Sequence, residues 1–117
     1  MATTLLFIYG TLKQGQSHHS LIQRQRFLGP ARTLPRYRLF DLGPFPGLKE
    51  DLEYGQAIDG ELYEIDDDMR ERLDDYEGKR FRLSEVLLED NDRPVRAYFY
   101  QGDIADFPEC PGVWPAP

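Results

Sequence analysis

The chain has 117 residues, of which 40% are hydrophobic and 30% charged, and its formal net charge is −7. This length and composition fit one globular domain and are too apolar for a disordered chain. Nucleic acids and anionic membranes attract clustered Lys and Arg, whereas the cations here are interleaved with Asp and Glu. We therefore predict a single domain over residues 1–117, with an extended tail from about residue 103, that binds neither nucleic acid nor membrane.

Cysteine content and the first residues bear on the compartment. Cys110 is the only cysteine, so no intrachain disulfide can form, and no Cys and His residues have zinc-site spacing. The apolar run at residues 5–9 is too short for a signal-peptide core or a membrane span. These features predict a cytoplasmic protein without a metal.

The first elements are a strand and a short helix. The continuously apolar run at residues 5–9 ends at Gly10, a pattern typical of a strand buried on both faces. After a loop, Ser17 is a possible N-cap for one or two helical turns carrying Leu21 and Ile22. We expect a central strand followed by this short helix.

The middle of the chain favours strands. Glycines and prolines interrupt residues 27–51, which predicts short strands joined by tight turns. Residues 54–65 alternate loosely and contain Gly55 and Gly60, as expected of a strand that bends or bulges at a barrel corner. The side chains expected in the core there are those of Leu62, Tyr63 and Ile65.

A helix is predicted over residues 66–78. Three aspartates stand at its start, where negative charge is stabilised by the positive end of the helix dipole. Met69, Leu73 and Tyr76 have helical spacing. Gly78 is suited to end the helix.

Two strands and a tail complete the prediction. Residues 80–89 and 95–102 indicate a hairpin with its turn at residues 91–94, and the second strand alternates between two faces. The tail at residues 103–117 is proline-rich and is expected to drape over the surface through Phe107 and Trp114. Strands and helices do not alternate regularly, which predicts an α+β fold with a small bent or closed sheet.

Glu77 stands out among the acidic residues. The exposed face of the helix accounts for most carboxylates between residues 64 and 77, but Glu77 lies at the negative end of the helix dipole. Its pKa should therefore rise, which suits general acid–base chemistry near neutral pH. Tyr100 on the last strand is a weaker candidate, since it could equally serve packing.

The turn after the first strand and the two histidines each allow two interpretations. The turn at residues 9–12 is either a plain glycine turn or a set of backbone N–H groups that cradle an anion. His18 and His19 would point about 100° apart on a helix, so a solvated loop is favoured over a shared metal.

Four motifs, YGTLKQGQSHH, FPGL, GELYEI and LDDYEG, together resemble the γ-glutamylcyclotransferase-like family, and most of all its γ-glutamylamine cyclotransferase branch. The resemblance implies a small mixed or closed β-barrel with short flanking helices and a substrate cavity at its mouth. By motif position, it assigns the substrate cradle to Tyr9, Gly10, Thr11 and Leu12, and the catalytic base to Glu77.

The reaction implied by the resemblance needs no cofactor. The α-amine of a small-molecule γ-glutamyl substrate attacks its own γ-carbonyl, giving 5-oxoproline and a free amine. Gly10 would allow close approach of the backbone to the ligand, and Lys13 and Gly15 would lie on the cavity rim. Relatives often carry Asn-His where this chain has His18-His19, so the leaving amine stays open, as does the oligomeric state.

Two other functions are compatible with these features. A non-catalytic small-molecule binding or regulatory module could use the same fold and cavity. An interaction protein could use the aromatic, proline-rich tail, on the evidence of composition alone.

Overall fold

The computed structural model describes residues 2–115, and its secondary structure is mostly strand. The strands are β1 (Thr3–Ile8), β2 (Arg26–Arg32), β3 (Tyr37–Asp41), β4 (Pro46–Glu50), β5 (Asp59–Asp66), β6 (Phe81–Leu88), β7 (Asn91–Tyr100) and β8 (Glu109–Cys110). Helix α1 (Asp67–Glu77) follows β5, and 3₁₀ turns lie at His19–Leu21 and Gly78–Arg80. Within the described residues, no helix is long and apolar enough to cross a lipid bilayer.

The strands form one mixed sheet that curls into a small barrel. β5 pairs antiparallel with β1 and β2, while β7 pairs parallel with β1 and antiparallel with β6. A bridge between Thr33 and Leu88 joins the end of β2 to the end of β6, so the two margins of the sheet meet. β4, β3 and β8 continue from the far end of β7, where Leu48 faces Phe99 in parallel register. The predicted α+β fold with a mixed barrel and short helices is confirmed.

β1 is buried on both faces, as its apolar run predicts. Leu5 and Phe7 belong to one core cluster, while Leu6 and Ile8 belong to another. Each such side chain, when fully buried, contributes about 1.5–3 kcal/mol to stability. The second cluster includes residues of α1, so the helix covers that face of the sheet and its end lies beside the end of β1.

Helix α1 begins and ends where local signals place it. The Asp66 carboxylate accepts a hydrogen bond of 2.8 Å from the backbone N–H of Met69 and so caps the helix. Gly78 ends the helix with a φ of 73°, which a glycine adopts without strain. Leu73 is buried, but Tyr76 is 41% exposed, so the apolar stripe stops one turn before the helix does.

The short helix after β1 has the smaller of the two predicted lengths, but its cap differs from the prediction. It is a single 3₁₀ turn that begins after His18, and Ser17 does not cap it. The Ser17 hydroxyl instead lies 3.0 Å from His18 Nδ1. Ile22 is fully buried, whereas Leu21 is exposed.

The β6–β7 hairpin turns two residues earlier than predicted. Leu88 pairs with Asn91, so the loop consists of Glu89 and Asp90, and Asp90 has a φ of 57°. Pro94 lies inside β7, where the register shifts between Val86 and Leu88. A proline is tolerated there because the irregular pairing does not require its missing N–H.

The predicted bulge lies in the neighbouring strand. The register irregularity falls in β2, between Phe27 and Gly29, and not at a glycine of β5. Gly60 instead permits close packing, since a Cβ there would lie 2.3 Å from the carbonyl oxygen of Ile8. Tyr63 and Ile65 are buried as expected, and Leu62 packs against the core from a partly buried position.

The tail belongs to the sheet over part of its length. β8 pairs antiparallel with β3, Cys110 is buried in the core, and Trp114 packs against the same cluster. The prediction of a purely surface-draped segment is therefore wrong for this part, because the backbone of β3 offers a free edge that β8 satisfies. Ala116 and Pro117, the last residues of the predicted tail, lie outside the described residues.

Candidate active site

A cavity of about 330 Å³ opens at the end of β1. Its walls come from the end of β1, the turn after it, the last turn of α1, the segment before β4, and one residue each from β6 and β7. The two segments that the sequence singled out, one after β1 and one at the end of α1, therefore meet in one place.

The structure brings the residues of the predicted cradle and the predicted base to this cavity. Its lining includes Tyr9, Gly10, Thr11, Leu12 and Glu77. A hydroxyl pair joins the two segments, since Thr11 Oγ1 lies 3.3 Å from the hydroxyl of Tyr76, the residue before Glu77.

In the turn after β1, which lines the cavity, the carbonyl groups of Gly10, Thr11 and Leu12 accept hydrogen bonds, whereas their N–H groups donate none within the part of the chain described. The bonds to the carbonyl oxygens are Lys13 N–H to Gly10 at 3.1 Å, His18 N–H to Thr11 at 3.0 Å, and His19 Nδ1 to Leu12 at 2.8 Å. Among the described residues, no hydrogen bond takes up the N–H of Gly10, Thr11 or Leu12, although all three residues are buried. Successive free N–H groups of this kind are typical of anion sites.

Gly10 has a packing role besides the predicted close approach of its backbone to a ligand. Its φ is not positive, and a Cβ at this position would lie 2.8 Å from Cγ and Cδ of Pro46. Because real Cβ atoms essentially never come this close, any larger residue must displace the Pro46 ring, which is itself part of the cavity wall.

Lys13 and Gly15 do not line the cavity, contrary to the prediction. The Lys13 ammonium donates a hydrogen bond to the carbonyl of Trp114 in the tail, and burial lowers its pKa. Gly15 lies in the exposed loop with a φ of 85°.

Glu77 is a partly buried carboxylate in this otherwise largely apolar cavity. Burial raises its pKa to about 7. The predicted rise was attributed to the helix dipole, but the loss of solvent around the carboxylate is the main cause. Burial, followed by the charge of Glu77, also raises the pKa of Tyr9, whose hydroxyl donates to the carbonyl of Tyr98.

The model of the family described as Gamma-glutamyl cyclotransferase, AIG2-like, matches residues 6–114. The chain belongs to this family. A Vibrio cholerae protein named provisionally as a gamma-glutamylcyclotransferase is 36% identical over 97 residues, covering 83% of this chain and 82% of its own. The human gamma-glutamylaminecyclotransferase is 36% identical over 98 residues, covering 74% of this chain and 64% of the human protein.

Two solved structures show the same fold. A uropathogenic E. coli-specific protein superposes with a TM-score of 0.87 at 25% identity, over 97% of this chain and 94% of its own. An AIG2-like protein from Mus musculus superposes with a TM-score of 0.79 at 23% identity, over 97% of this chain and 89% of the mouse chain. The second likeness shows the fold alone.

Several wall residues of this AIG2-like cavity were not predicted from the sequence. Phe45 and Phe81 lie on its wall with ring centroids 5.8 Å apart, and Tyr98 completes the wall from β7. Of these three residues, Phe45 alone carried a signal, as the first residue of the FPGL motif. Tyr100, the weaker candidate, lies outside the lining and packs against Phe81 at 5.4 Å.

The two histidines differ in position and contacts. His18 is exposed and lines the cavity, with its ring centroid 5.4 Å from that of Tyr76. His19 instead forms a hydrogen bond through Nδ1 to the carbonyl oxygen of Leu12. The solvated-loop interpretation is therefore right for His18 and incomplete for His19. Within the part of the chain described, no group of three or more His, Cys, Asp and Glu residues is arranged to hold a metal ion.

Proposed function

We propose that this protein is a cyclotransferase that converts γ-glutamyl amides into 5-oxoproline and a free amine. One observation carries the proposal: a carboxylate with a pKa of about 7, Glu77, shares a cavity with the unpaired N–H groups of Gly10, Thr11 and Leu12. The names of the bovine and human relatives, gamma-glutamylaminecyclotransferase, agree with a γ-glutamyl substrate.

The reaction needs a folded substrate and a movable proton. The ionised Glu77 carboxylate takes a proton from the substrate's α-ammonium group, and the free amine attacks the γ-carbonyl carbon. The negative charge that develops on the carbonyl oxygen, or the substrate's carboxylate, is stabilised by the N–H groups of the turn. The C–N bond to the leaving amine then breaks as Glu77 returns the proton to that nitrogen, and the ring nitrogen loses its extra proton through the same carboxylate to the released amine, which departs as an ammonium ion. Because nucleophile and electrophile are tethered, closure is intramolecular.

The raised pKa of Glu77 makes the first step easier. An ordinary glutamate has a pKa near 4.5, and Glu77 has one of about 7. This difference lowers the free-energy cost of moving a proton from an ammonium group to the carboxylate by about 3 kcal/mol. The carboxylate is still ionised in about half of the molecules at pH 7, so it can act as a base and then as an acid.

The test is 5-oxoproline release from a panel of γ-glutamyl amines and γ-glutamyl amino acids. We expect wild-type turnover of at least one amide, and a fall of about 10²–10⁴-fold in kcat for Glu77→Gln with KM changed little. Glu71→Gln is the matched control, since Glu71 is exposed on the same helix outside the cavity. Full activity of Glu77→Gln would show that Glu77 is not the base.

The non-catalytic alternative gives a different result in the same experiment. A binding or regulatory module would bind γ-glutamyl compounds in calorimetry but release no 5-oxoproline from any of them. The panel also identifies the preferred leaving amine.

A further inference from the structure

Tyr98 has polar contacts on two sides of the cavity. Its hydroxyl donates a 2.7 Å hydrogen bond to Oδ1 of Asp74, and its carbonyl accepts one from the hydroxyl of Tyr9. The ring between these groups lines the cavity and is 5% exposed. Tyr98 therefore connects the end of helix α1 with the residue at which the proposed cradle begins.

Asp74 lies one helical turn before Glu77. Its backbone carbonyl accepts the N–H of Gly78, which closes the last turn of α1 around Glu77. The buried side chains of the helix, Met69 and Leu73, hold only its earlier turns. In the described residues, two side-chain hydrogen bonds hold the last turn, one from Tyr98 of β7 to Asp74 and one between Tyr76 and Thr11 of the turn after β1.

These two bonds differ in strength. The Tyr98 bond is short, has a carboxyl acceptor, and starts from a buried ring, whereas the Thr11 pair joins two neutral hydroxyls at 3.3 Å. Hydrogen bonds to charged groups are roughly twice as strong as those between neutral groups. The Asp74–Tyr98 bond is therefore the main side-chain contact that fixes the end of α1.

We propose that Tyr98 and Asp74 form a positioning pair that sets the Glu77 carboxylate against the Gly10–Leu12 turn. The inference rests on the proposed cyclotransferase function. The Tyr98 hydroxyl does not move a proton in the reaction, because burial and then the Asp74 carboxylate raise the pKa of Tyr98 above its already high ordinary value. A displacement of about 1 Å at a catalytic group can cost about 10²-fold in rate, so a loosened helix end should be visible in turnover.

The test is a double-mutant cycle with kcat, KM and the pH profile as readouts. Tyr98→Phe and Asp74→Ala each remove the bond, and we expect each to lower kcat about 10–100-fold with KM changed less than about 3-fold. The double variant should match the single ones, because both remove the same interaction. Asp74→Asn keeps an oxygen that accepts from the Tyr98 hydroxyl and should restore most of the rate.

Two neighbours provide matched controls. Tyr100→Phe removes a hydroxyl from the same strand outside the cavity, and Asp75→Ala removes an exposed carboxylate next to Asp74. Both should keep wild-type kcat. Asp74 is itself exposed, so its variants should fold, and circular dichroism checks this.

A second readout does not depend on turnover. The carboxyl carbon of Glu77, followed by NMR in the free protein, should titrate near pH 7 in the wild type. In Tyr98→Phe it should titrate closer to an ordinary glutamate, because a looser helix end admits water to the carboxylate.

The outcomes separate this inference from the proposed function. If the wild type turns over a γ-glutamyl amide and Glu77→Gln does not, unchanged kcat in Tyr98→Phe and Asp74→Ala overturns the positioning pair alone. Additive losses in the double variant, or no rescue by Asp74→Asn, would also overturn it. If no substrate is turned over, the proposed function fails, and an unchanged NMR titration of Glu77 in Tyr98→Phe then counts separately against the pair.

Discussion

Replacing Glu77 by glutamine should make the protein more stable at pH 8. The pKa of this carboxyl rises from 4.5 to about 7 on folding, and one unit corresponds to about 1.4 kcal/mol. Because the folded-state pKa is the higher one, the wild type loses stability as pH rises through this interval, to a limit of about 3 kcal/mol. Partial exposure of the side chain reduces this figure, so we expect a gain of about 1–3 kcal/mol for Glu77→Gln at pH 8.

Urea unfolding at 25 °C, between pH 5 and pH 8, measures this difference. The gain should be below about 1 kcal/mol at pH 5, where Glu77 is mostly protonated in the folded protein, and should grow up to pH 7. Glu71→Gln, on the exposed face of the same helix, should show no such growth. A stability difference that is independent of pH, or a less stable Glu77→Gln at pH 8, would refute the assignment of a buried, pKa-shifted carboxylate.

Three further outcomes follow from the site and the helix cap. The kcat/KM for a γ-glutamyl amide should rise tenfold per pH unit below about 7, as Glu77 ionises, and then level off. A pH–rate profile that levels off already above pH 4.5, the ordinary glutamate pKa, would contradict the assigned pKa. Gly10→Ala should raise KM several-fold in steady-state kinetics, because the new Cβ displaces the Pro46 ring, and the added change Pro46→Ala should recover part of the loss. Asp66→Ala should lower the free energy of unfolding by about 1 kcal/mol in urea while KM stays unchanged, since it removes only the cap of α1.

Local signals explain what the sequence predicted well. The buried central strand, the helix with aspartates at its start and its glycine stop depend on patterns within a few residues, such as Gly78 after Glu77. The placement of Glu77 beside the turn after β1 came from the family resemblance, because no local rule relates segments this far apart. The structure brings them together through the packing of α1 on the second core cluster.

Non-local pairing explains what the sequence did not predict. The closing bridge between Thr33 and Leu88, and the pairing of β8 with β3, join segments with no shared pattern. The hairpin turn was misplaced because Pro94 signals a turn, whereas the irregular register of β6 accommodates it within a strand. Tyr98 and Tyr100 lie two positions apart on β7, so the alternating strand pattern places both on the same face. Only the tertiary structure shows which of them lines the cavity.

The position of Glu77 opposes stability and favours the proposed chemistry at the same time. At the end of a helix, the carbonyl dipoles disfavour a negative charge, and the largely apolar walls of the cavity remove solvent from it. A cation beside Glu77 would relieve this cost, but it would also lower the pKa and weaken the base. Among the residues described as lining the cavity there is no Lys or Arg, although the chain has 14 such residues. The stability lost by leaving the carboxylate unpaired is therefore the same free energy that keeps it able to accept a proton near neutral pH.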